Sequence, residues 1–324
     1  MTSSLPVAPA DPADPAEPAV PAVPAVPAGP AGPAPGTRLA APEPLPLPAP
    51  GWGLPEAVRA WRTAVPHLPP QVRRRAGDLE PVSALTTVVL RCGSWAVKVY
   101  PPGTDPAHVE QVRAGLRGSR TGAVAVAAPV STPDGVVTVA PWLGSSDPVG
   151  WAEVGALLRR FHDDHASAPL PPWQPLSRVA SQAAALPAEQ AEVLAGARDV
   201  LLEAVAATWS ELGWGAVHGD VSPSNVLLDG AAPRLIDLDW AAVAPRELDL
   251  APVARRLRSG EVDATTYAAF CRAYGHDVRG WAGLGLLDRV AELGGLVFRI
   301  WDCRHRGRDL GWLPAELRHW RHPL

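Results

Sequence analysis

Three oxygen-bearing side chains lie close together in the second half of the sequence. Asp220 and Asn225 belong to a proline-containing segment, HGDVSPSN, at residues 218–225. Asp237 follows in the segment IDLD at residues 236–239. The amide oxygen of an asparagine and the carboxylate of an aspartate are ligands that Mg²⁺ prefers, and a further carboxylate can accept the proton of a hydroxyl group. A metal ion beside such a base is what phosphoryl transfer to an alcohol requires.

A short β-hairpin is predicted between these two segments. Residues 226–228 and 234–238 are largely aliphatic, and the turn signal Asp229-Gly230 lies between them. Because a hairpin folds back on itself, its far end returns to its beginning. We therefore expect Asp237 to lie beside Asn225, with Asp220 close to both.

Apart from methionine, which is present only as Met1, two residue types occur once each in the chain. Lys98 is the single lysine among 29 basic residues, and Asn225 is the single asparagine. A composition rich in Ala, Pro, Gly and Arg is typical of a GC-rich genome, in which lysine and asparagine become rare. A residue that is kept alone under this bias is a candidate for a role that Arg or Asp cannot fill, and chance retention is the alternative.

Strands are predicted around Lys98, with one helix inserted among them. Residues 86–90 and 95–100 form a β-branched hairpin around Gly93-Ser94. A helix follows at 105–116, with Asp105 as its cap and proline at its first position. Two further strands are predicted at 124–130 and 136–140. Lys98 is thus expected on the second strand of an antiparallel sheet.

The pattern becomes helical after residue 140, with apolar helix faces at 151–161, 189–212 and 284–301. The fold class is therefore α+β, with a small antiparallel-sheet lobe and a larger helical lobe. The predicted domains are a tail at 1–50, the sheet lobe at 51–140 and the helical lobe at 141–324.

The first 50 residues are rich in proline and alanine, with a proline at every third position from Pro6 to Pro33. Proline fixes φ and removes backbone donors, so this tail is predicted to be polyproline II or disordered. It could serve as a spacer, as a ligand for a proline-binding partner, or as a solvated appendage without a partner.

Charge and composition exclude several classes of protein. The net charge is −4, which argues against a globally basic nucleic-acid-binding protein. The three cysteines are far apart and indicate neither a disulfide framework nor a metal knuckle. No apolar run is long enough for a membrane span, and the N-terminus lacks the basic region of a signal peptide. We therefore expect a cytoplasmic protein that binds neither nucleic acid nor membrane.

The motif H-x-D-x-x-x-x-N, followed by a short hairpin and I-D-x-D, resembles the aminoglycoside phosphotransferase and choline kinase group of small-molecule phosphotransferases. The resemblance covers about residues 80–305. It implies a bilobal protein-kinase-like fold, dependence on Mg²⁺, and transfer of the γ-phosphate of ATP or GTP to a hydroxyl of a small molecule. Aminoglycosides, amino alcohols, sugars and secondary metabolites all remain possible acceptors.

The resemblance assigns roles to individual residues of this sequence. Asp220 is implied as the catalytic base that orients the acceptor hydroxyl, and Asn225 and Asp237 as the magnesium ligands. Lys98 is implied to contact the α- and β-phosphates, with Glu110 of the short helix as its ion-pair partner.

Five further positions receive supporting roles from the same resemblance. His218 is expected to brace the catalytic loop, and Asp249 to support that loop from behind. Asp239 is expected either to help hold the metal or to face the acceptor. Ala140 and Trp142, at the connector between the lobes, are expected near adenine.

The loop between the first two strands departs from the family pattern. It should carry glycines whose N–H groups cover the phosphates, but residues 83–86 contain none. The hydroxyl groups of Ser83 and Thr86 are the candidate substitutes. This departure favours an alternative function, a kinase-like nucleotide-binding regulatory protein with little or no turnover. A protein kinase is disfavoured, because no activation segment is recognisable between Asp237 and Asp249.

The acceptor site has one further candidate feature. Asp288 and Glu292 are one helical turn apart in the longest predicted helix, and Asp302 follows near its end. Together they could form an acidic wall for a cationic amine acceptor, or they could belong to a solvated helix face.

Overall fold

The structure is a computed structural model that describes residues 43–144 and 149–324. Its first lobe combines strands and helices. The strands are β1 (Glu80–Ala84), β2 (Val88–Cys92), β3 (Trp95–Tyr100), β4 (Val130–Thr132) and β5 (Gly135–Pro141). The helices are α1 (Leu54–Ala64), α2 (Pro70–Arg73) and α3 (Pro106–Gly115). The strands form one antiparallel sheet in the order β1-β2-β3-β5-β4.

Alternation along β3 places Lys98 on the sheet face opposite the lobe's core. Val97 and Val99 are fully buried in a cluster with α1 residues such as Trp61. Lys98 therefore points to the other face, where its sheet neighbours are Val89 and Thr138. The sheet thus places the side chain of the single lysine on the face that lies toward the second lobe.

The strand predicted at 124–130 is wrong for most of its length, because β4 begins only at Val130. The preceding residues make isolated hydrogen bonds in two directions instead. The N–H of Val126 donates to Val139 of β5, and the N–H of Ala123 donates to Leu235 in the second lobe. This segment therefore connects the lobes and does not extend the sheet.

The second lobe is mainly helical and contains two small two-stranded sheets. Its helices are α4 (Trp151–Asp164), α5 (Val179–Ala183), α6 (Ala188–Ala207), α7 (Ala251–Ser259), α8 (Ala264–Tyr274), α9 (Leu284–His305) and α10 (Leu313–Leu317). The antiparallel strand pairs are β6 (Trp214–Val217) with β9 (Ala242–Pro245), and β7 (Val226–Asp229) with β8 (Ala232–Leu235). In the described residues, no helix is both long enough and apolar enough to cross a membrane.

Residues 43–50, which we call the interlobe segment, are packed and do not belong to a disordered tail. Leu45 is buried against Tyr100 and Val109 of the sheet lobe. Arg178 of the helical lobe donates two hydrogen bonds to the Leu45 carbonyl, at 2.8 and 3.0 Å. Trp301 of α9 donates to the carbonyl of Pro48 at 2.9 Å. The predicted tail boundary at residue 50 is therefore wrong for this stretch, and residues 1–42 of that tail lie outside the described residues.

The interlobe segment should contribute measurably to stability. We expect Leu45→Ala to lower the free energy of unfolding by about 2–3 kcal/mol, because it removes a buried side chain at the junction of the lobes. Urea denaturation measures this. Leu85→Ala is the matched control, since Leu85 is 51% exposed, and its effect should stay within about 0.5 kcal/mol. Equal effects of the two changes would contradict the packing described here.

Candidate active site

The loop at residues 218–222 leaves β6 and needs a glycine at its second position. Gly219 has φ of +84°, and a Cβ added there would lie 2.6 Å from the carbonyl oxygen of Trp240. Both the backbone conformation and the lack of space therefore exclude other residues. Because β6 pairs with β9, with Val217 opposite Ala242, the loop lies directly against the segment that follows Asp237.

A buried carboxylate holds this loop from behind. Asp249 accepts hydrogen bonds from the backbone N–H groups of His218 and Gly219, at 2.7 and 2.8 Å. Its carboxylate also bonds to Nε2 of His162 at 2.9 Å. Asp249 is 1% exposed, so all of its charge is compensated within the protein. Asp249 lies where the sequence prediction placed it, behind the loop.

His218 links the loop to the end of β8. Its Nε2 bonds to the carbonyl oxygen of Ile236 at 2.8 Å, and the backbone N–H of Asp220 donates to its Nδ1 at 3.2 Å. A carbonyl only accepts, so Nε2 carries the proton and Nδ1 is the acceptor. This neutral ring is fully buried and fixes the distance between the loop and Asp237, in agreement with the bracing position predicted for it.

The hairpin of β7 and β8 returns Asp237 to the beginning of the hairpin, as the sequence predicts. The N–H of Ile236 donates to the carbonyl of Asn225 at 2.9 Å. Asp237 itself has φ of +58°, in the left-handed region, which aspartate tolerates better than most residues. This conformation turns the chain at the point where its carboxylate faces the cavity that contains Lys98.

Asp220 and Asn225 are hydrogen-bonded to each other. The amide nitrogen of Asn225 donates to the backbone oxygen of Asp220 at 2.8 Å and to its carboxylate at 3.2 Å. Since the nitrogen is used in this way, the amide oxygen of Asn225 is left as an acceptor. Burial raises the pKa of Asp220, and the nearby charge of Asp237 acts in the same direction. The oxygen donors of these three residues fit the preference of Mg²⁺.

Lys98 pairs with both carboxylates of the IDLD segment. Its ammonium group forms ion pairs with Asp237 and Asp239, and Tyr100 donates a hydrogen bond to Asp239 at 2.7 Å. Burial alone would lower the pKa of Lys98, but the charges of Asp239 and Asp237 outweigh it and raise that pKa. Burial raises the pKa of Asp239. For Asp237, burial is outweighed by the charge of Lys98 and its hydrogen bond, which lower the pKa.

Glu110 is not the partner of Lys98, and this prediction is wrong for the structure described here. The Glu110 carboxylate forms two hydrogen bonds of 2.6 Å with the guanidinium of Arg113, one turn further along α3. A neighbouring arginine on the same helix is a close and well-oriented partner. Asp239 occupies the position beside Lys98 that the sequence analysis assigned to Glu110.

A cavity of about 500 Å³ lies between the lobes. Lys98, Asp237 and Asn225 line its inner end. The remaining predicted nucleotide contacts also line it, and these are Ser83, Thr86, Ala140 and Trp142. The N–H of Trp142 already donates to the carbonyl of Ser94 at 2.9 Å, so this donor is engaged within the sheet lobe.

A second cavity, of about 840 Å³, is lined in part by the loop at residues 218–222. Asp220 lines this second cavity, and Lys98 and Asp237 line the first. Asn225 lines both. The two cavities therefore meet at the side chain that bonds to Asp220.

The predicted acidic wall does not line the second cavity. Asp288, Glu292 and Asp302 are each engaged by arginines of the helical lobe. The pairs are Asp288 with Arg255 and Arg258, Glu292 with Arg289, and Asp302 with Arg306 and Arg308. The solvated-face interpretation of these residues agrees with this pairing.

Sequence reasoning missed three residues of the site. Tyr100 holds Asp239, and Arg178 lies with its guanidinium 4.7 Å from the centre of the Trp240 ring. Trp240 directly follows the IDLD segment, and Tyr100 lies two residues after Lys98, so their positions offered a signal. Arg178 lies in an irregular segment without any motif, and nothing in the sequence pointed to it.

The model of the phosphotransferase enzyme family matches residues 71–287 of the chain. The chain belongs to this family. The predicted resemblance is thereby confirmed, and with it the coarse prediction of a phosphotransferase. A comparison with the curated proteins finds no match.

Solved structures confirm the predicted fold class of this phosphotransferase. A choline/ethanolamine kinase family protein from Mesorhizobium loti is 17% identical with a TM-score of 0.55, and the match covers 82% of this chain and 92% of that one. An amicoumacin kinase in complex with AMP-PNP, Ca²⁺ and Ami is 14% identical with a TM-score of 0.56, and covers 75% of this chain and 86% of that one. At these identities the likeness establishes the bilobal kinase-like fold.

Asp249 should be needed for the stability of the phosphotransferase. We expect Asp249→Asn to lower the free energy of unfolding by about 3 kcal/mol, because the new amide nitrogen opposes the buried donors. Denaturant unfolding followed by circular dichroism measures this. Asp229→Asn is the matched control on the exposed turn of the β7–β8 hairpin, and it should change stability by about 0.5 kcal/mol or less. Similar values for both variants would contradict the role of Asp249.

Proposed function

We propose that this enzyme transfers the γ-phosphate of ATP or GTP, with Mg²⁺, to a hydroxyl group of a small molecule. The observation that carries the proposal is the junction of the two cavities at Asn225. One cavity holds the cation Lys98 beside the carboxylate of Asp237, which suits a nucleotide and its metal ion. The other exposes the carboxylate of Asp220, which suits an alcohol. The AMP-PNP and Ca²⁺ bound to the amicoumacin kinase support a nucleotide and a divalent cation.

Asn225 and Asp237 are the residues proposed to hold Mg²⁺. When bound, the ion would neutralise charge on the phosphate oxygens and lower the barrier to phosphoryl transfer. The chain itself prepares this position in two ways. Asp220 fixes the Asn225 amide through its nitrogen, so that the oxygen is oriented without a ligand, and Lys98 keeps the pKa of Asp237 low, so that its carboxylate is charged.

Asp220 is proposed to orient the acceptor hydroxyl and receive its proton. Its carboxylate borders the second cavity, and its backbone is fixed through His218 and Asn225. Desolvation by the surrounding loop, together with the charge of Asp237, raises its pKa, which makes the carboxylate a better proton acceptor than an aspartate of ordinary pKa. Catalysis of this kind rests mainly on positioning and on charge stabilisation.

A second candidate function is supported by one observation. The β1–β2 loop lacks glycine, and Leu85 at its tip is half-exposed. The backbone N–H of Leu85 already donates to the carbonyl of Thr87 at 3.0 Å, so this loop differs from the glycine-rich loop that covers the phosphates in kinases. A nucleotide-binding regulatory protein with little or no turnover is the corresponding function. Phosphate transfer separates the two candidates, because nucleotide binding fits both.

Asp220→Asn is the decisive variant for the proposed enzyme. We expect acceptor-dependent release of ADP or GDP to fall at least about 100-fold, because an amide cannot accept the hydroxyl proton. The measurement is nucleoside diphosphate release with Mg²⁺-ATP and Mg²⁺-GTP across a panel of hydroxylated compounds.

The same variant carries its own control for folding. Burial raises the pKa of Asp220 above its unfolded value, so the charged form at neutral pH costs stability in the folded protein, and a neutral amide removes that cost. The melting temperature should therefore stay the same or rise. Turnover that survives in a folded Asp220→Asn variant would exclude the proposed role, and a wild-type chain that binds nucleotide without any transfer would favour the regulatory function.

Variants of Asp239 and Glu110 provide a second test, in which the affinity for Mg²⁺-ATP is measured. We expect Asp239→Asn to weaken Mg²⁺-ATP binding about tenfold, because Lys98 loses the buried partner that holds its ammonium group in the cavity. Glu110→Gln removes a carboxylate whose hydrogen bonds go to Arg113 of the same helix and not to Lys98, and should change affinity less than twofold. Calorimetric titration with a non-hydrolysable ATP analogue measures both. A larger loss from Glu110→Gln would restore the partner predicted from the sequence.

A further inference from the structure

The cavity beside Asp220 has an excess of positive charge on its walls. Five charged side chains line it, three of them arginines, and these are Arg178, Asp220, Arg255, Arg256 and Glu261. Asp220 is assigned to the acceptor hydroxyl. Glu261 accepts a hydrogen bond from Ser259 at 2.9 Å and is the one other carboxylate lining the cavity among the described residues. A polycationic acceptor would therefore meet three arginines and two carboxylates among these lining residues, while Glu43 and Asp288 pair with Arg178 and Arg255 from outside the lining.

Arg255 is held in place by a carboxylate that lies outside the cavity. Its Nε donates to Asp288 at 3.0 Å, and Arg258, one turn along α7, binds the other oxygen of the same carboxylate. The bond to Asp288 uses Nε alone, which leaves the two terminal nitrogens of Arg255 for a ligand. Arg255 lines the cavity, and Arg258 does not. A planar guanidinium oriented in this way is suited to bind a carboxylate or phosphate.

One of the two tryptophans among the described residues that line the cavity, Trp240, already carries an internal cation. A quaternary ammonium group binds over the open face of an aromatic ring. The face of Trp240 already carries the guanidinium of Arg178, which is fixed by two bonds to the Leu45 carbonyl. A choline-like cation would have to displace this internal cation.

Part of the remaining cavity wall is apolar, and the other part is polar and includes Gln174, Ser177, Ser222, Ser224 and Ser259. Leu248 from the segment before α7, and Leu287, Val290 and Val297 from α9, line the side opposite the catalytic loop. Together with Trp173 they offer a surface for a hydrocarbon skeleton. The cavity thus combines one hydroxyl-binding carboxylate, one oriented guanidinium and an apolar wall.

We propose that the acceptor is a hydroxylated organic anion with an apolar skeleton, whose carboxylate or phosphate group is bound by Arg255. This inference rests on the proposed function, since it names the substrate class of the same site. Amino alcohols, quaternary ammonium alcohols and polycationic aminoglycosides are disfavoured as acceptors.

A matched set of small probes tests the charge preference. The probes are para-(hydroxymethyl)benzoate, para-methylbenzyl alcohol, para-(hydroxymethyl)benzylamine and para-(hydroxymethyl)phenyl phosphate. They share one skeleton and one primary hydroxyl and differ in charge, and the two anions distinguish a carboxylate from a phosphate ester. Binding to the full chain is measured by calorimetry in the presence of Mg²⁺ and a non-hydrolysable ATP analogue. We expect the better anion to bind about tenfold more tightly than the amine.

Arg255→Gln and Arg258→Gln are the matched variants. Both remove an arginine from the same helix and the same carboxylate, but only Arg255 lines the cavity. We expect Arg255→Gln to remove the preference for the anion, and to raise the KM for it about tenfold with kcat nearly unchanged. Arg258→Gln should leave both within about twofold. Equal losses in the two variants would show that pairing with Asp288 is what matters, and would overturn the assignment.

Binding and transfer separate this inference from the proposed function. An anion preference that depends on Arg255, with no phosphate transfer to any probe or library alcohol, would support the inference about the cavity and refute the proposed enzyme. Transfer to the amine probe or to kanamycin in preference to the anions would support the enzyme and overturn the inference. Equal or undetectable binding of all four probes would also overturn the inference.

Discussion

The position of the catalytic loop depends on one buried carboxylate. Asp249 is 1% exposed, so its carboxylate oxygens must bond to donors of the protein. The loop supplies two of these donors, the N–H groups of His218 and Gly219. Moving the loop would leave an uncompensated charge in the core, which costs several kcal/mol. His218 then carries the constraint on to Ile236, one residue before Asp237. The proposed base and the proposed metal ligands are therefore fixed relative to each other by a chain of hydrogen bonds before any ligand binds.

Much of the site could be predicted from the sequence because its geometry is local. Asp220 and Asn225 are separated by one tight loop, and Asp237 follows at the end of a hairpin whose turn is marked by Asp229-Gly230. Such distances follow from backbone geometry alone. The two-lobe architecture could be predicted for a similar reason, since strand and helix periodicities change sharply near residue 141.

The parts that could not be predicted depend on choices between competing partners far apart in the sequence. Several acids of the sequence could pair with Lys98. The spacing of Glu110 and Arg113 allows an ion pair within α3, but the sequence does not show that this pair forms in place of a pair between Glu110 and Lys98. Arg178 fills the space over Trp240 from an irregular segment, which has no periodicity to interpret. The segment before β4 has the composition of a strand, but its backbone hydrogen bonds connect the two lobes. Composition alone does not determine which partner a backbone N–H group binds.

The interlobe segment has a consequence for the order in which the protein can assemble. It is synthesised early, but the indole that binds Pro48 belongs to Trp301, 253 residues further along the chain. A contact of such high sequence separation closes late, because the loop-closure entropy must first be offset by other structure. During translation the segment can contact Tyr100 and Val109 early, but its bond to Trp301 can form only after α9 has left the ribosome. The contact between Pro48 and α9 is therefore completed only when the chain is almost fully synthesised.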